Sequence, residues 1–217
     1  MHNQHINSIA IIGAGSMGNG IAHVCAMSGL PVKLMDRSIE QLKIASQTIE
    51  KNLKRMVQKQ RITPDQVSST LARIQSYTDI KQAIADADII VEAVPEQISV
   101  KKAVWSEIEQ EIDPKRLKQT IFATNTSSIS ISELAKKLTF PENMIGMHFF
   151  NPVPVMSLVE IILGQKTSEK TFKKVERLTT DLGKTPIRVH DFPGFVSNRI
   201  LMPMINEAIY ALYEGVA

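Results

Sequence analysis

Short apolar runs of strand length alternate along the chain with longer segments that repeat apolar residues at helical spacing. The short runs predict strands over residues 9–12, 32–35, 89–92, 120–124, 144–150, 158–162 and 186–189. The longer segments predict helices over residues 17–28, 38–59, 98–111, 130–138, 169–182 and 195–213, with shorter helices starting at Pro64 and after Asp79. This alternation is typical of a mostly parallel sheet with helices on both faces. We therefore expect an α/β fold of the Rossmann type, with a doubly wound sheet.

The last predicted helix differs from the others because its apolar residues form one broad stripe. The stripe contains Ile200, Leu201, Met204, Ile205, Ala208, Ile209 and Leu212. A stripe of this width needs a packing partner, and the chain stops at Ala217 before it supplies one. We expect residues 6–191 to form the α/β domain. Residues 192–217 are then the first helix of a truncated, all-helical second domain.

Composition and charge exclude several classes of protein. The chain has 217 residues, is 43% hydrophobic and carries a formal net charge of +3, an ordinary balance for a soluble domain that gives no case for binding nucleic acid. A single cysteine, Cys25, forms neither an intrachain disulfide nor a thiolate metal site, so we expect a buried, inert thiol and no metal. No apolar run reaches the length of a membrane span, and the polar first eight residues do not resemble a secretion signal. We expect a cytoplasmic protein with no membrane partner.

A glycine-rich segment lies between the first predicted strand and the first predicted helix. Gly13, Gly15 and Gly18 form the pattern G-x-G-x-x-G, and an acid, Asp36, ends the second strand. This context is typical of a dinucleotide site. The first glycine permits the turn, the second lets the backbone approach the pyrophosphate, and the third lets the helix pack on the strand, while the helix N-terminus attracts the phosphates. We expect the whole loop to bind the cofactor, including Ala14, Ser16 and Met17.

Asp36 also bears on which cofactor is bound. Its carboxylate would accept hydrogen bonds from the adenosine ribose and repel a 2′-phosphate, which favours NAD over NADP. Arg37 beside it is a counter-signal, because a guanidinium there could meet that phosphate. The fingerprint alone leaves FAD open, as well as a glycine-rich turn that binds nothing.

A dehydrogenase acting on an alcohol needs a base for the hydroxyl proton, and histidine is the usual choice. Of the five histidines, His2 and His5 lie in the polar tail, His23 lies on the first helix and His190 follows the last strand. His148 lies near the end of a predicted strand, before a proline-rich loop, at the edge where α/β folds bind ligands. It is the best candidate for the base, although a single histidine on an apolar strand is more often a core residue.

Several further motifs, in order along the chain, resemble the 3-hydroxyacyl-CoA dehydrogenase family, and most closely its short bacterial 3-hydroxybutyryl-CoA members. They are Val91-Glu92-Ala93 with Glu96, Asn125-Thr126-Ser127-Ser128, His148-Phe149-Phe150-Asn151-Pro152-Val153-Pro154, Leu158-Val159-Glu160 and Pro193-Gly194-Phe195-Val196-Ser197-Asn198-Arg199. The resemblance covers essentially the whole chain. It implies reversible, NAD-dependent oxidation of a (3S)-3-hydroxyacyl-CoA to a 3-oxoacyl-CoA, in fatty acid metabolism and β-oxidation.

The resemblance also implies roles for individual residues. His148 resembles the catalytic base, and Glu160 resembles the carboxylate that orients it. Ser127 and Asn198 resemble groups that hold the substrate, Ser127 being also close to the cofactor. Positions that resemble contacts to the nicotinamide side of the cofactor are Glu96, Lys101 and Asn151, and positions that resemble contacts to CoA are Asn52, Lys54 and Lys59. The residue types alone suggest plainer roles: strand-edge or solvated charges for the acids and lysines, and caps or loop anchors for Ser127 and Asn198.

The resemblance leaves open what this chain does by itself. Family members usually continue into further helices that pair two subunits and close the acyl groove, so both a homodimer and full activity are uncertain for 217 residues. Two alternatives remain: a dehydrogenase of a hydroxy acid not linked to CoA, and an inactive NAD-binding module that docks on a partner chain.

Overall fold

The computed structural model describes residues 5–217, so His2 lies outside the described part. One eight-stranded sheet runs through it, in the order β3-β2-β1-β4-β5-β6-β7-β8. The strands are β1 (Ile9–Ile12), β2 (Val32–Met35), β3 (Ile74–Tyr77), β4 (Ile89–Glu92), β5 (Ile121–Thr124), β6 (Met144–Phe149), β7 (Leu158–Leu163) and β8 (Thr185–His190). The strand order reverses beside β1, as it does in doubly wound folds. The predicted fold class is confirmed.

Two strands depart from the parallel arrangement. Strand β7 pairs antiparallel with β6 and parallel with β8, so β7 and β8 run against the other strands. The β6–β7 register places His148 directly opposite Glu160. The sequence pattern did not predict β3, an edge strand whose residues are only partly buried and whose pattern, Ile-Gln-Ser-Tyr, contains no apolar run.

Helices pack on both faces of the sheet. They are α1 (Ser16–Met27), α2 (Ile39–Gln58), α3 (Pro64–Ala72), α4 (Ile80–Ile84), α5 (Ile98–Glu111), α6 (Pro114–Leu117), α7 (Ile131–Ala135), α8 (Glu169–Asp181) and α9 (Ser197–Tyr213). Two hydrophobic clusters, one for each face, contain the buried strand and helix residues. Local capping explains several helix starts: Ser38 caps α2, Thr63 and Gln66 form a capping box on α3, and Asp79 caps α4.

Helix α7 ends at Ala135 rather than at the predicted Leu138, and its start is capped differently from the expected box. The Ser130 hydroxyl accepts from the Glu133 N–H, but the Glu133 carboxylate pairs with Lys102 and Lys136 rather than bonding back to Ser130. The carboxylate of Asp191 accepts from other N–H groups of the same helix start, the Ile131 N–H at 3.1 Å and the Ser132 N–H at 2.8 Å. The start of α7 is therefore fixed by a residue distant in sequence.

Helix α9 forms but begins at Ser197 rather than at the predicted Phe195, whose left-handed φ of +49° is not helical, and it carries no buried residue. Ile200, Met204, Ile209 and Leu212 of its apolar stripe are between 59% and 70% exposed, so within residues 5–217 the stripe has no packing partner. None of the helices in the described part of the chain is long and apolar enough to cross a membrane.

Candidate active site

The glycine loop joins β1 to α1, and each glycine meets a different steric demand. Gly13 has a φ of +102°, a left-handed conformation that disfavours other residues. A Cβ on Gly18 would lie 1.8 Å from the Gly13 carbonyl oxygen, so only glycine allows α1 to pack this closely. A Cβ on Gly15 would meet no atom within 4 Å, so the backbone there faces open space. The loop therefore exposes its backbone to a ligand at Gly15 and packs tightly against neighbouring backbone at Gly13 and Gly18.

Asp36 follows β2 and is fixed against this loop. Its carboxylate accepts from the Ala14 N–H at 2.9 Å and from the Ser38 N–H at 3.0 Å. The guanidinium of Arg37 forms an ion pair with Glu107 of α5 at 2.6 Å. Arg37 is thus already paired with a carboxylate, which weakens the argument that its guanidinium binds the 2′-phosphate of NADP.

The first cleft, of about 770 Å³, lies beside the loop. It is lined by the loop residues Gly13, Gly15, Ser16 and Met17, by Asp36 and Arg37, and by an apolar wall that includes Val94, Val100 and Val104. Within residues 5–217 no side chain caps the N-terminus of α1, so its first N–H groups remain available to an anion. Open backbone at Gly15, free amides, an acid at the ribose position and an apolar wall together fit a dinucleotide.

His148 and Glu160 form a buried pair on the neighbouring strands β6 and β7. The His148 Nδ1 lies 2.7 Å from Glu160 Oε2. Glu160 is fully buried and His148 is 7% exposed. Because Nδ1 is bonded to the carboxylate, Nε2 is the ring nitrogen left for other chemistry. The expected plain role of Glu160, a surface carboxylate at a strand edge, is wrong.

The second oxygen of Glu160 is also fully engaged. Oε1 accepts from the Val196 N–H at 3.1 Å, the Ser197 N–H at 2.8 Å and the Ser197 hydroxyl at 3.0 Å. Burial alone would raise the pKa of Glu160, but the hydrogen bonds from His148 and Ser197 outweigh burial and lower that pKa below its usual value. Glu160 is therefore held as a carboxylate facing the imidazole.

A second cleft, of about 500 Å³, is lined by His148 of this pair and adjoins the first, since Met17, Ala93 and Val94 line both. It brings together residues from strand ends, from loops and from the first turns of α5 and α9: Glu96, Lys101, Asn125, Ser127, His148, Asn151 and Asn198. Asn198 Nδ2 donates to the Ser127 carbonyl oxygen at 3.3 Å, which ties the start of α9 to the loop after β5. The structure thus assembles the predicted catalytic residues beside the predicted cofactor loop.

Glu96 organises the loop that carries Ser127. Its Oε1 accepts from the Thr126 hydroxyl, from the Ser127 N–H at 2.9 Å and from the Ser128 N–H at 3.2 Å. Burial would raise the pKa of Glu96, but the Thr126 bond, the Lys101 charge and the Ser127 N–H lower it to about 2. Glu96 stays ionised and fixes the loop, a role additional to the cofactor contact that the resemblance implies.

Lys101 is buried, so the plainer expectation that it is a solvated charge on the surface of a helix is wrong. It is 1% exposed, and its ammonium lies 2.7 Å from Glu92 Oε1, 3.3 Å from the Val94 carbonyl oxygen and 3.2 Å from Glu96 Oε2. These contacts match its three donors. Lys101 therefore links the end of β4 to Glu96 on one wall of the second cleft.

Two residues here, Glu92 and Asn125, belong to the motifs found in the sequence, but the sequence gave them no role. Glu92, fully buried, accepts from Lys101, from the Thr124 hydroxyl at 2.7 Å and from the Val94 N–H at 2.8 Å. Asn125 Oδ1 accepts from the Phe149 N–H at 2.9 Å, next to His148. A glutamate ending a fully apolar strand was the available signal for Glu92, because a buried acid needs partners.

The predicted CoA contacts lie elsewhere. Asn52 and Lys54 are on α2 and Lys59 follows it, and none of the three lines either cleft. Lys54 pairs with Glu50 on the same helix at 2.5 Å. The structure does not bring these residues together with His148.

Two further side chains of α1, Cys25 and His23, are buried in the core. Cys25 is fully buried, and burial raises the pKa of its thiol to about 12, which confirms an inert thiol. His23 is a buried core residue whose Nε2 lies 3.1 Å from the Met27 sulfur, and burial lowers its pKa to about 4. His190 ends β8 and His5 precedes β1, and both are exposed.

Comparison with known proteins agrees with this geometry. Residues 8–192 match the family described as 3-hydroxyacyl-CoA dehydrogenase, NAD binding domain. The probable 3-hydroxybutyryl-CoA dehydrogenase of Bacillus subtilis (strain 168) is 44% identical over 98% of this chain and 72% of its own length. The crystal structure of (S)-3-hydroxybutyryl-CoA dehydrogenase from Ralstonia eutropha superposes with a TM-score of 0.93 at 44% identity, over 98% of this chain and 73% of that one.

A more distant structure is a diketoreductase that acts on dicarbonyl compounds, with a TM-score of 0.90 at 27% identity, over 98% of this chain and 75% of that one. The family match covers most of the chain, and both halves of the site lie within or directly beside it. This chain belongs to the 3-hydroxyacyl-CoA dehydrogenase family and carries its NAD-binding domain.

Proposed function

We propose that this chain catalyses the reversible, NAD-dependent oxidation of a (3S)-3-hydroxyacyl-CoA, such as 3-hydroxybutyryl-CoA, to the 3-oxoacyl-CoA. The observation that carries the proposal is the His148–Glu160 pair, 2.7 Å apart, with His148 lining a cleft that adjoins the cleft of the glycine loop. The names of the relatives from Bacillus subtilis and Ralstonia eutropha support the choice of a CoA-linked substrate.

The residues of the first cleft would hold NAD. The amides at the start of α1 and the open backbone at Gly15 would bind the pyrophosphate, and Asp36 would bind the adenosine ribose. When bound, NAD⁺ supplies the acceptor for the hydrogen and electron pair that leave C3 of the substrate. Met17, Ala93 and Val94 line both clefts, so they would lie where cofactor and substrate meet.

The proton chemistry falls to His148. As the C3–H bond breaks, Nε2 takes the proton of the C3 hydroxyl, and in the reverse direction the imidazolium returns it. Glu160 holds the ring by Nδ1 and stabilises the positive charge on it after proton capture. The buried position of the pair strengthens this charge interaction, because little water screens it.

Ser127 and Asn198 are proposed to hold the substrate oxygens. Both line the second cleft with His148, and the bond from Asn198 to the Ser127 carbonyl fixes one relative to the other. Glu96, Lys101 and Asn151 would face the nicotinamide end of the cofactor, where they line the same cleft. Asn52, Lys54 and Lys59 lie outside both clefts, and only the family resemblance supports them as proposed contacts for CoA.

The domain division at residue 191 is also a proposal. The family match ends at residue 192, which supports residues 6–191 as the cofactor-binding domain and residues 192–217 as part of a helical region. The exposed stripe of α9 supports packing against further protein, and a homodimer is the arrangement that the family resemblance suggests.

A second candidate is a dehydrogenase of a substrate not linked to CoA, because the diketoreductase shares this fold at a TM-score of 0.90. Turnover with NADH would be measured on acetoacetyl-CoA and on free acetoacetate. The proposal predicts oxidation of NADH with the CoA ester and little with the free acid. Equal turnover of both would favour the second candidate, and NADH binding without turnover of either would indicate an inactive binding module.

A further inference from the structure

A turn between β8 and α9 has a backbone conformation that a protein would otherwise avoid. Gly194 and Phe195 are both left-handed, with φ of +78° and +49°. Glycine adopts this conformation readily, but phenylalanine is strained in it and keeps it only where the surrounding structure enforces it. Phe195 is nonetheless 3% exposed, and its ring centroid lies 6.1 Å from that of His148. The turn is therefore held in a strained form beside the catalytic pair.

The strained turn directs donors onto Glu160. After the two left-handed residues, the N–H groups of Val196 and Ser197 and the Ser197 hydroxyl all reach the same oxygen, Oε1, at distances between 2.8 and 3.1 Å. The other oxygen receives His148. One buried carboxylate thus joins the catalytic imidazole to the start of α9.

The segment is also anchored on either side of this turn. Before it, Asp191 binds the start of α7 through the Ser130 hydroxyl at 2.8 Å and the Ser132 N–H at 2.8 Å. After it, Asn198 bonds to the Ser127 carbonyl. These contacts leave the turn little freedom to move away from Glu160.

We propose that the turn formed by Gly194, Phe195, Val196 and Ser197, hereafter the carboxylate turn, is a positioning device for the catalytic base. It fixes the Glu160 carboxylate, and through it the orientation of the His148 ring, and it makes that orientation depend on where α9 begins. Ser197 and Gly194 are then positioning residues, since neither forms a hydrogen bond to His148 and both act through Glu160. The inference rests on the proposed role of His148 as the base.

Charge explains why the turn matters. Glu160 is buried, and a buried carboxylate needs its oxygens satisfied or it takes up a proton. Without the donors on Oε1, the pKa of Glu160 would rise and the carboxylate would be free to rotate. A rotated or neutral carboxyl no longer selects the Nδ1–H form of His148, so Nε2 would be the available base for less of the time.

The main test compares two glycine variants. Gly194→Ala forces a Cβ into a left-handed position 3.1 Å from the Arg199 nitrogen, at the turn. Gly29→Ala is the matched control, because Gly29 is also left-handed, at +95°, but a Cβ there meets nothing within 4 Å and the residue follows the far end of α1. We expect Gly194→Ala to lower kcat by about 100-fold, the cost of misplacing a catalytic group by about 1 Å, with NADH affinity unchanged. Gly29→Ala should lower the melting temperature without this loss.

A second variant keeps the test decisive if Gly194→Ala does not fold. Ser197→Ala removes one of three donors on Oε1 and leaves the backbone in place, so kcat should fall about fivefold, as for a partly compensated hydrogen bond to a charged group. Ser197→Thr restores the hydroxyl and should restore kcat. Ser168→Ala, which removes a capping hydroxyl from α8, is the matched control and should affect stability alone.

A readout independent of turnover separates this inference from the proposed function. The proton on His148 Nδ1 should give a low-field NMR signal, identified by its absence in His148→Gln. We expect the signal to shift or broaden in Ser197→Ala and in Gly194→Ala, and to stay unchanged in Gly29→Ala and Ser168→Ala. If both turn variants keep the wild-type signal and wild-type kcat, the inference is wrong. If the unmodified chain gives the signal but no turnover, the proposed function fails and the NMR comparison still tests the turn.

Discussion

The glycine loop after β1 and the His148–Glu160 pair on β6 and β7 reach their geometry in different ways. The loop is made of backbone, and its shape follows from residues that are close together in sequence. The pair is made of side chains that meet only because β6 and β7 run antiparallel in one register. A site formed by local backbone shape can be predicted from the sequence. A site that depends on the register of two paired strands can be identified only from the folded sheet.

The comparison predicts that changes in the pair alter chemistry, while changes in the loop alter cofactor binding. The largest effect should come from His148→Gln, which removes the base from an otherwise intact cleft. We expect kcat with acetoacetyl-CoA and NADH to fall by about 10²–10⁴-fold, the usual contribution of a general base. NADH affinity, measured by fluorescence titration, should change little. A variant with normal kcat would remove the proposed mechanism.

The loop should show the opposite behaviour. In Gly15→Ala the added methyl enters open space that the cofactor needs, so NADH should bind about 10- to 100-fold more weakly while the melting temperature stays constant. Gly18→Ala is the informative partner, because its Cβ would lie 1.8 Å from the Gly13 carbonyl oxygen and should destabilise the fold. Equal NADH affinity in Gly15→Ala and the unmodified chain would mean that the pyrophosphate does not approach this residue.

A smaller effect should separate NADH from NADPH. Asp36→Ala removes an acceptor for the ribose hydroxyls, so NADH should bind about tenfold more weakly and the preference over NADPH should decrease. Asp36→Asn serves as the control, because it removes the charge that repels a 2′-phosphate but keeps an acceptor. The role proposed for Asp36 would be contradicted if NADPH bound the unmodified chain as tightly as NADH.

The smallest predicted effect concerns how pH changes the stability contributed by Glu96, on the wall of the second cleft. The pKa of Glu96 is lowered to about 2 in the folded chain, against a usual value of 4.5. Its ionised form therefore stabilises the fold above pH 4.5, and that contribution decreases as the pH falls from 4.5 towards 2. Glu96→Gln should be less stable than the unmodified chain at pH 7, with a difference that narrows below pH 4.5. Urea unfolding at several pH values checks this, with exposed Glu214→Gln as a control that should show no such trend.

The sequence predicted the fold class because strand and helix periodicities were clear, and it predicted the dinucleotide loop because glycine, strand and helix occur together. His148 could be proposed as the base from its place near a strand end. Three features could not be predicted because each depends on contacts between distant segments. They are the antiparallel direction of β7, the burial of Lys101 and the hydrogen-bond network around Glu92. The edge strand β3 was missed for a different reason, since its polar residues give no apolar run.

The contrast between the two regions also explains why residue types alone gave no role to Glu160 or Ser197. By residue type Glu160 is a surface acid, and only the family resemblance assigned it to His148, while Ser197 is one of several serines near a helix start. Burial of Glu160, together with donors on both of its oxygens, makes it the group that joins the base to the carboxylate turn.

The central claim is that His148 and Glu160 act as one unit, and a double-mutant cycle on kcat tests it most directly. The cycle compares the unmodified chain, His148→Gln, Glu160→Gln and the double variant, with NADH affinity measured for each. Because Glu160 acts through His148, Glu160→Gln should cost less than His148→Gln, and the double variant should be about as slow as His148→Gln alone. If the double variant instead loses the product of the two single losses, the two residues act independently and the account of this site is contradicted.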